Sequence, residues 1–422
     1  MPKYLKNKRR RRHHGIGFKD TETIEMKPSA KKKEKVRTEK EKTSFRILVG
    51  KRKANRIKKI ILASAFIALA LTLLIVSLSS PTGIGESITN FTSTFSFGSQ
   101  LPVELSSTET FAVSAKNNYC YLLSDTELSV YSNNGKKSFS DTHGLSSPVL
   151  CESDARCLIY DQNGTGVRIY NAKKLILTKD NKNKIYACDI SRDGTFAVAG
   201  KSENYASMVT VYDKNGDMLY EWYSPQEIIT AVAVSPNGKS IALTTISIIN
   251  GMYNSKLYAF NYESANPIFT KEYSGEFIYG INSVSKKTFS VFTENTCDII
   301  SWKDYSLENF TSDYSINAVK ANKKQTVILS SRENNDGNAL FSVYNKKKVL
   351  ITSFNFSGTV DDFMIHGKNI FVLSGNTVYL VDSQGKVVKT GECGFGVVKI
   401  VPVSSSSCLA ISHNSITKIS MQ

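Results

Sequence analysis

Histidine is scarce in this chain, and the sequence signature of the common serine hydrolases is absent. Only five of the 422 residues are histidine, and no G-x-S-x-G segment occurs. A Ser or Cys nucleophile needs a histidine and an orienting carboxylate beside it. After residue 100 the histidines are His143, His366 and His413, and each falls in a predicted turn or strand end, where we expect a surface side chain. The sequence therefore predicts no catalytic residue.

Paired cysteine motifs are also missing. There are seven cysteines, an odd number, and no C-x-x-C, which disfavours both a zinc site and a disulfide framework. Most of them fall at matching strand positions of the repeats described below, where we expect small buried hydrophobic side chains, with one disulfide left open. The sequence predicts no metal and no cofactor.

Net charge is missing from everything that follows residue 59. Residues 1–59 hold 23 Lys and Arg against 6 Asp and Glu, whereas the rest of the chain holds 31 of each. Between the two parts, residues 60–80 have no charge, no proline and no glycine. That run is long enough to cross a bilayer of about 30 Å as one helix. Its length, the long segment before it and the lack of an A-x-A-like site favour an uncleaved signal-anchor over a signal peptide.

The basic residues in front of the apolar run predict its orientation. The positive-inside rule predicts a single-pass protein of the cell membrane, with its N-terminus in the cytoplasm and its C-terminal region outside. The same residues are predicted to contact anionic lipid headgroups; they are Lys51, Arg52, Lys53, Arg56, Lys58 and Lys59.

The basic tail, residues 1–59, is predicted to be disordered because it has too few apolar residues to form a core. A protein partner and nucleic acid are the alternatives to lipid contact. The few aromatic residues of the tail disfavour nucleic acid, because little is available to stack on bases. Residues 81–99, rich in Ser, Thr and Gly, are predicted to be a stalk.

Residues 100–422 contain a repeat of two elements. One is a short strand that ends in a polar turn, and its successive copies begin 36 to 48 residues apart; they start at Val130, Ile169, Val211, Ala259, Ser301, Val343, Leu380 and Ile416. The other precedes it and is clearest in DISRDGTFAVAG at Asp189 and AVSPNGKSIALTT at Ala233. Asp-Gly and Asn-Gly between apolar strands predict hairpins. Each repeat is thus predicted to be an antiparallel meander.

The repeat length matches a four-stranded propeller blade of roughly 40 to 45 residues. Eight copies predict an all-β fold, an eight-bladed β-propeller, with seven blades as the alternative. The last copy has only three strands before Gln422. We expect Gln100–Leu105 to supply its fourth strand, because pairing the two chain ends closes the ring and removes exposed edges.

The segments SRDGTFAVA at Ser191 and SPNGKSIA at Ser235 resemble those of WD40-like and quinoprotein-like propellers. The arrangement of tail, single helix and propeller is similar to that of membrane-anchored bacterial proteins of unassigned function with an extracytoplasmic propeller. This resemblance implies the fold and leaves the function open. A quinoprotein dehydrogenase would carry a tryptophan-docking motif in each blade, whereas this chain has only Trp222 and Trp302.

Three long segments between the second and third strands of their blades are predicted to be loops on one face of the propeller. They are 201–207, 246–255 and 332–338. Recognition usually resides in such loops, although tolerated insertions would have the same pattern. The candidate partner-binding residues, which are of types enriched at interface centres, are Tyr205, Met252, Tyr253 and Arg332.

The predicted function is a protein- or ligand-binding and assembly module of the cell envelope, not an enzyme, with an envelope protein or a glycan as partner. One alternative is an extracytoplasmic enzyme with its site in the central funnel, which a cluster of acidic residues there would favour. The other is a transmembrane sensor that connects an outside ligand to the tail.

Overall fold

A computed structural model describes most of the region after residue 99. The described residues there are 100–105, 112–116, 119–153, 156–283, 285–322, 324–331, 337–345, 347 and 349–422, and nearer the N-terminus they are 62, 64, 66–68, 70 and 71. The chain divides into two compact units, Met1–Leu73 and Leu74–Gln422. The predicted disordered tail, most of the predicted membrane segment and the predicted stalk lie outside the described residues.

The seven described residues of the N-terminal unit are helical and exposed. They fall inside the predicted membrane segment. Within the described part of the chain, no helix has the length and apolarity needed to cross a membrane.

The described residues of the second unit form 32 strands in eight four-stranded sheets, all with antiparallel pairing. A short strand β1 (Val103–Glu104) comes first. Blades 1 to 4 then consist of β2 (Ala112–Lys116), β3 (Tyr119–Leu123), β4 (Glu127–Ser132) and β5 (Lys137–Thr142); β6 (Pro148–Glu152), β7 (Cys157–Asp161), β8 (Gly166–Tyr170) and β9 (Leu175–Asp180); β10 (Ile185–Ile190), β11 (Phe196–Gly200), β12 (Ser207–Tyr212) and β13 (Met218–Ser224); β14 (Ile228–Val234), β15 (Ser240–Ile249), β16 (Met252–Asn261) and β17 (Phe269–Ser274).

Blades 5 to 8 follow in the same order, from the inner to the outer strand. They consist of β18 (Gly280–Ser283), β19 (Thr288–Phe292), β20 (Thr296–Ser301) and β21 (Leu307–Thr311); β22 (Ser315–Ala321), β23 (Gln325–Ser331), β24 (Asn338–Asn345) and β25 (Leu350–Ser357); β26 (Asp362–His366), β27 (Asn369–Ser374), β28 (Thr377–Val381) and β29 (Val387–Glu392); β30 (Val397–Ser404), β31 (Ser407–Ser412), β32 (Ser415–Ser420) and, from the other end of the chain, β1.

The ring closes by pairing the two ends of the chain. Val103 lies opposite Ile416 and Glu104 opposite Ser415, so β1 is the outer strand of blade 8. The amide of Leu105 donates to the carbonyl of Asn414 at 2.7 Å. The predicted eight blades, and the predicted completion of the last one from Gln100–Leu105, are confirmed.

The core consists of eight clusters of buried side chains, each between two neighbouring blades of the described region. Strand β3 shows how one strand supplies two of them. Tyr121 and Leu123 pack toward blade 2, whereas Cys120 and Leu122 pack toward blade 8. Successive side chains of a strand point to opposite faces of the sheet, and both faces are covered here. The second strand of a blade therefore has a continuous apolar sequence instead of an alternating one.

The turns between first and second strands explain the S-x-D/N-G segments. In blade 3 the amide of Thr195 donates to Asp193 Oδ1 at 3.0 Å, and Gly194 has φ +95°. Only glycine adopts such a φ at no steric cost. In blade 4, Gly238 has φ +66°, and a Cβ there would lie 2.2 Å from Asp193 Oδ2. Glycine thus also permits the close approach of neighbouring turns.

The seven cysteines are all unpaired. Cys120, Cys157 and Cys408 lie in the second strands of their blades and are fully buried, which confirms the core role predicted for them. Burial raises the pKa of Cys120, Cys297 and Cys408 to about 12. These thiols are therefore protonated and chemically inert at neutral pH.

The propeller has two distinct faces. Loops between second and third strands and the connections between blades lie at one face, which we call the loop face; the remaining turns lie at the other, the turn face. The amide of Gln100 donates to the carbonyl of Asn134, in the turn between β4 and β5, at 2.7 Å. The chain therefore enters the propeller at the turn face.

Candidate functional site

The longest hairpin of the propeller lies at the loop face of blade 4. Strands β15 and β16 have 10 residues each, and they pair from Ser240 with Asn261 out to Ile249 with Met252. Asn250 and Gly251 form the turn, with φ of 52° and 78°, as a two-residue hairpin turn requires. The prediction of a loop at Ile246–Ser255 was therefore wrong. The β-branched residues at the start of this segment continue strand β15.

The tip of this hairpin projects beyond the rest of its sheet and is apolar. The inner strand β14 pairs with β15 only as far as Ile246, and the outer strand β17 pairs with β16 only from Asn254. Beyond these points, Ile248 is 70% exposed, Met252 64% and Tyr253 56%. The predicted candidates Met252 and Tyr253 thus lie on a rigid projecting element.

Two further aromatic residues adjoin the hairpin. The ring of Tyr253 lies 6.4 Å from that of Phe277, edge to face, and Phe277 lies 5.3 Å from Tyr279. Phe277 and Tyr279 are exposed and belong to the connection from blade 4 to blade 5. The amide of Gly275 donates to the carbonyl of Tyr253 at 2.9 Å and holds this connection against the hairpin.

Tyr205 occupies the loop between β11 and β12 of blade 3. Its ring lies 5.0 Å from that of Tyr223, at the end of the outer strand of the same blade. The hydroxyl of Tyr223 in turn donates to Glu221 Oε2 at 2.5 Å. Tyr205 is 47% exposed, so the loop presents an ordered aromatic pair to solvent.

Together these side chains give the loop face of blades 3 to 5 what we call the apolar surface. Its members are Tyr205, Tyr223, Ile228, Ile248, Ile249, Met252, Tyr253, Phe277 and Tyr279. The sequence prediction missed those outside the three long segments. An available signal was the aromatic character of the blade connections, as in EFIYG at Glu276.

The remaining predicted site residues lie outside the described residues. These are Arg332 in the third long segment and the six basic residues predicted to contact lipid, Lys51, Arg52, Lys53, Arg56, Lys58 and Lys59.

Another blade connection carries an exposed aromatic residue. Phe395, between blades 7 and 8, is 91% exposed.

A partly buried ion pair supports the base of the hairpin. Glu227 Oε1 lies 2.9 Å from Lys256 Nζ, and its Oε2 accepts a hydrogen bond of 2.7 Å from Thr245. Burial alone would raise the pKa of Glu227, but these hydrogen bonds outweigh burial and lower the pKa.

Asn254 is buried beside Tyr253, and its amide oxygen and nitrogen both lack a hydrogen-bond partner. An unpaired buried amide is rare and costly.

Charged side chains also occur on the inner strands that surround the central channel. Lys320 Nζ lies 3.0 Å and Lys399 Nζ 3.5 Å from Asp362 Oδ1. Asp362 Oδ2 accepts the amide of Ile400 in the next blade at 3.1 Å. The carboxylate of Asp362 is thus paired with two lysines and a backbone amide.

Asp189 makes the equivalent link between blades 3 and 4. Its Oδ2 accepts the amide of Val234, on the inner strand of the next blade, at 2.7 Å. Burial raises the pKa of Asp189 to about 7. Asp189 and Asp362 thus both connect the inner strands of successive blades, which belong to separate sheets and have no ladder between them.

The prediction that His143 lies at the surface was wrong. It is buried in the connection between blades 1 and 2. Its Nδ1 accepts the amide of Leu145 at 3.1 Å, so its Nε2 carries the proton and donates to the carbonyl of Ser124 at 3.2 Å. Within the described part of the chain, no group of three or more His, Cys, Asp or Glu side chains could hold a metal ion.

Several solved structures are similar to this chain. Sqt1 of Saccharomyces cerevisiae has a TM-score of 0.55 and 13% identity, over 77% of this chain and 99% of its own. BamB of Moraxella catarrhalis has a TM-score of 0.52 and 12% identity, over 76% of this chain and 98% of its own. The Dos1 propeller has a TM-score of 0.55 and 12% identity, over 78% and 96%. At such identities the similarity shows the fold alone. No curated protein matches the chain.

A protein-family model matches residues 93–421. Its description is "Family of unknown function (DUF5711)". The match covers the whole propeller, and the chain belongs to this family.

Proposed function

We propose that this member of the DUF5711 family is a membrane-anchored, non-catalytic module that binds a protein of the cell envelope through its apolar surface. The observation that carries the proposal is the projecting hairpin of blade 4, with Ile248, Met252 and Tyr253 exposed on a rigid scaffold. Exposed apolar side chains grouped on one face mark interaction sites on soluble domains.

The hairpin is ordered before any partner arrives. Its strands are paired to the tip, its base is held by the Glu227–Lys256 ion pair, and Tyr253 is in contact with Phe277. Pre-organised contacts lose little conformational entropy on association, so a larger share of the buried apolar area appears as affinity.

The composition of the apolar surface favours a protein over a glycan. Aromatic rings can stack on sugars, but Ile248, Ile249 and Met252 offer aliphatic area without hydrogen-bonding groups. Aromatic residues and Met are enriched at the centres of protein interfaces. We therefore infer a partner with a complementary apolar patch.

Anchoring to the membrane is the second part of the proposal. It is supported by the uncharged residues 60–80 and by the basic residues that precede them. The chain enters the propeller at the turn face, at Gln100, whereas the apolar surface lies at the loop face.

The test begins with photo-crosslinking in the native cells. A photoreactive residue replaces Tyr279 on the apolar surface, or Lys173 in the turn between β8 and β9 on the turn face. We expect a protein that is captured from position 279 and not from position 173. That protein is then purified, and its affinity for the full-length chain in a non-ionic detergent is measured.

Matched double variants decide the result. Ile248→Thr with Met252→Thr removes exposed apolar area from the hairpin tip and leaves threonine, which favours strands, at both positions. Val387→Thr with Val388→Thr changes two exposed residues of the outer strand of blade 7. We expect Kd to rise at least tenfold, roughly 1.4 kcal/mol, for the first variant and to stay unchanged for the second. Equal capture from both faces, or unchanged binding by the hairpin variant, would refute the proposal.

A further inference from the structure

A cavity lies at the loop face between blades 2 and 3, beside the apolar surface. Its volume is about 340 Å³, which is within the size range of small-molecule sites. Its walls come from the outer strand of blade 2, from the connection at 181–184 and from blade 3.

Four lysines line this cavity: Lys179, Lys182, Lys184 and Lys201. Lys179 Nζ lies 4.1 Å from the centre of the Tyr212 ring. The other three form no ion pair with any residue of the described region.

The two carboxylates of the cavity wall already have partners. Asp180 Oδ1 lies 3.1 Å from Arg168 Nη1. Glu221 Oε1 accepts the hydroxyl of Thr210 at 3.2 Å, and its Oε2 accepts the hydroxyl of Tyr223. Four lysines against two occupied carboxylates leave an excess of positive charge, and low-dielectric walls strengthen the field inside a cleft.

The structure assigns this cavity as a binding site for a soluble phosphate ester. A phosphate group carries nearly two negative charges at neutral pH and accepts several hydrogen bonds, and lysine binds phosphate as a point charge. Tyr212, Met208 and Val198 give the cavity an apolar wall, which suits the carbon part of the ester. Tyr212 is held in place by stacking on Phe196, with ring centres 5.1 Å apart.

The site does not depend on the proposed function, because its residues are separate from the hairpin of blade 4. Inorganic pyrophosphate is the probe, titrated by calorimetry into the full-length protein in a non-ionic detergent at low salt. The variant Lys182→Gln with Lys201→Gln removes two exposed charges from the cavity. The control, Lys173→Gln with Lys174→Gln, removes two exposed charges from the turn face of blade 2.

We expect the wild type to bind pyrophosphate, the cavity variant to lose roughly a hundredfold in affinity, about tenfold for each lysine, and the control to bind as the wild type does. Binding should also weaken as the salt concentration rises. Equal losses in both variants would show a general charge effect and overturn the assignment. Absence of binding by the wild type would overturn it, as would citrate binding more tightly than pyrophosphate.

Discussion

The carboxylate of Asp298, in the third strand of blade 5, accepts a hydrogen bond of 2.5 Å from the hydroxyl of Tyr273, in the outer strand of blade 4. Lys271 of the same outer strand pairs with the same oxygen, and Asn309 donates to the other at 2.7 Å. Asp298 is fully buried. Burial, together with this carboxylate, raises the pKa of Tyr273. A charged group thus joins two blades inside their apolar interface.

Replacing Asp298 should destabilise the propeller strongly. In Asp298→Ala the hydroxyl of Tyr273, the ammonium of Lys271 and the amide of Asn309 all lose their acceptor. Removing one partner of a buried pair costs about 3 to 5 kcal/mol. Urea unfolding of the full-length protein in detergent would measure this loss. Asp313→Asn, at an exposed position in the connection from blade 5 to blade 6, is the control and should unfold like the wild type. A similar midpoint for both variants would contradict the expectation.

Opening the ring at blade 8 should also lower stability. Leu101, Val103 and Leu105 are partly buried in the cluster between blades 8 and 1. A chain that begins at residue 106 lacks them and exposes the edge of β32. At about 1 kcal/mol for each of these three partly buried side chains, and with the unfolding entropy of a domain of about 320 residues, we expect it to melt roughly 4 to 5 °C below a chain that begins at residue 100. Equal melting temperatures would show that β1 does not contribute to closure.

The pKa of Asp189, raised to about 7, predicts a pH dependence with a definite sign. Between about pH 4 and pH 7 the folded protein holds this proton and the unfolded chain does not, so stability falls as pH rises through this window and then levels off. Asp189→Asn keeps an acceptor for the amide of Val234 and removes the titration. We expect it to be about 2 to 4 kcal/mol more stable than the wild type at pH 8 and similar to it at pH 4. The same difference at both pH values would contradict the prediction, and urea unfolding measures it.

The proposed topology makes the two chain ends differ in accessibility. An epitope at the C-terminus should be labelled on intact cells, and one at the N-terminus only after permeabilisation. Replacing Lys51, Arg52, Lys53, Arg56, Lys58 and Lys59 by Gln should reduce or invert this difference, because charges within about 15 to 20 residues of a membrane helix set its orientation. Replacing Arg9 to Arg12 by Gln is the control and should change nothing. N-terminal labelling of intact wild-type cells would refute the topology.

Blade number and strand order could be predicted because a blade is a local structure. Its turns depend on residues close in sequence, such as Asp193 and Gly194, and antiparallel neighbours in sequence become neighbours in space. The completion of blade 8 followed from counting strands. The loop assigned to Ile246–Ser255 was wrong because the sequence pattern does not tell where a strand passes beyond its sheet.

The contacts between blades could not be predicted, because they join residues that the repeat places far apart in sequence. Nothing near Tyr253 in the sequence indicates that Phe277 lies against it. The lysines of the cavity come from two blades, and His143 is buried by a connection whose path depends on the packing of both of its neighbours.

By itself the sequence determined the division of charge, the uncharged run at residues 60–80 and the eight-bladed propeller, since these depend on composition, length and local turn chemistry. Only the tertiary structure decided which side chains meet at the apolar surface, in the basic cavity and around Asp298. The reason is that each blade buries both of its faces against its neighbours. Which side chains meet there depends on how the blades pack in the closed ring.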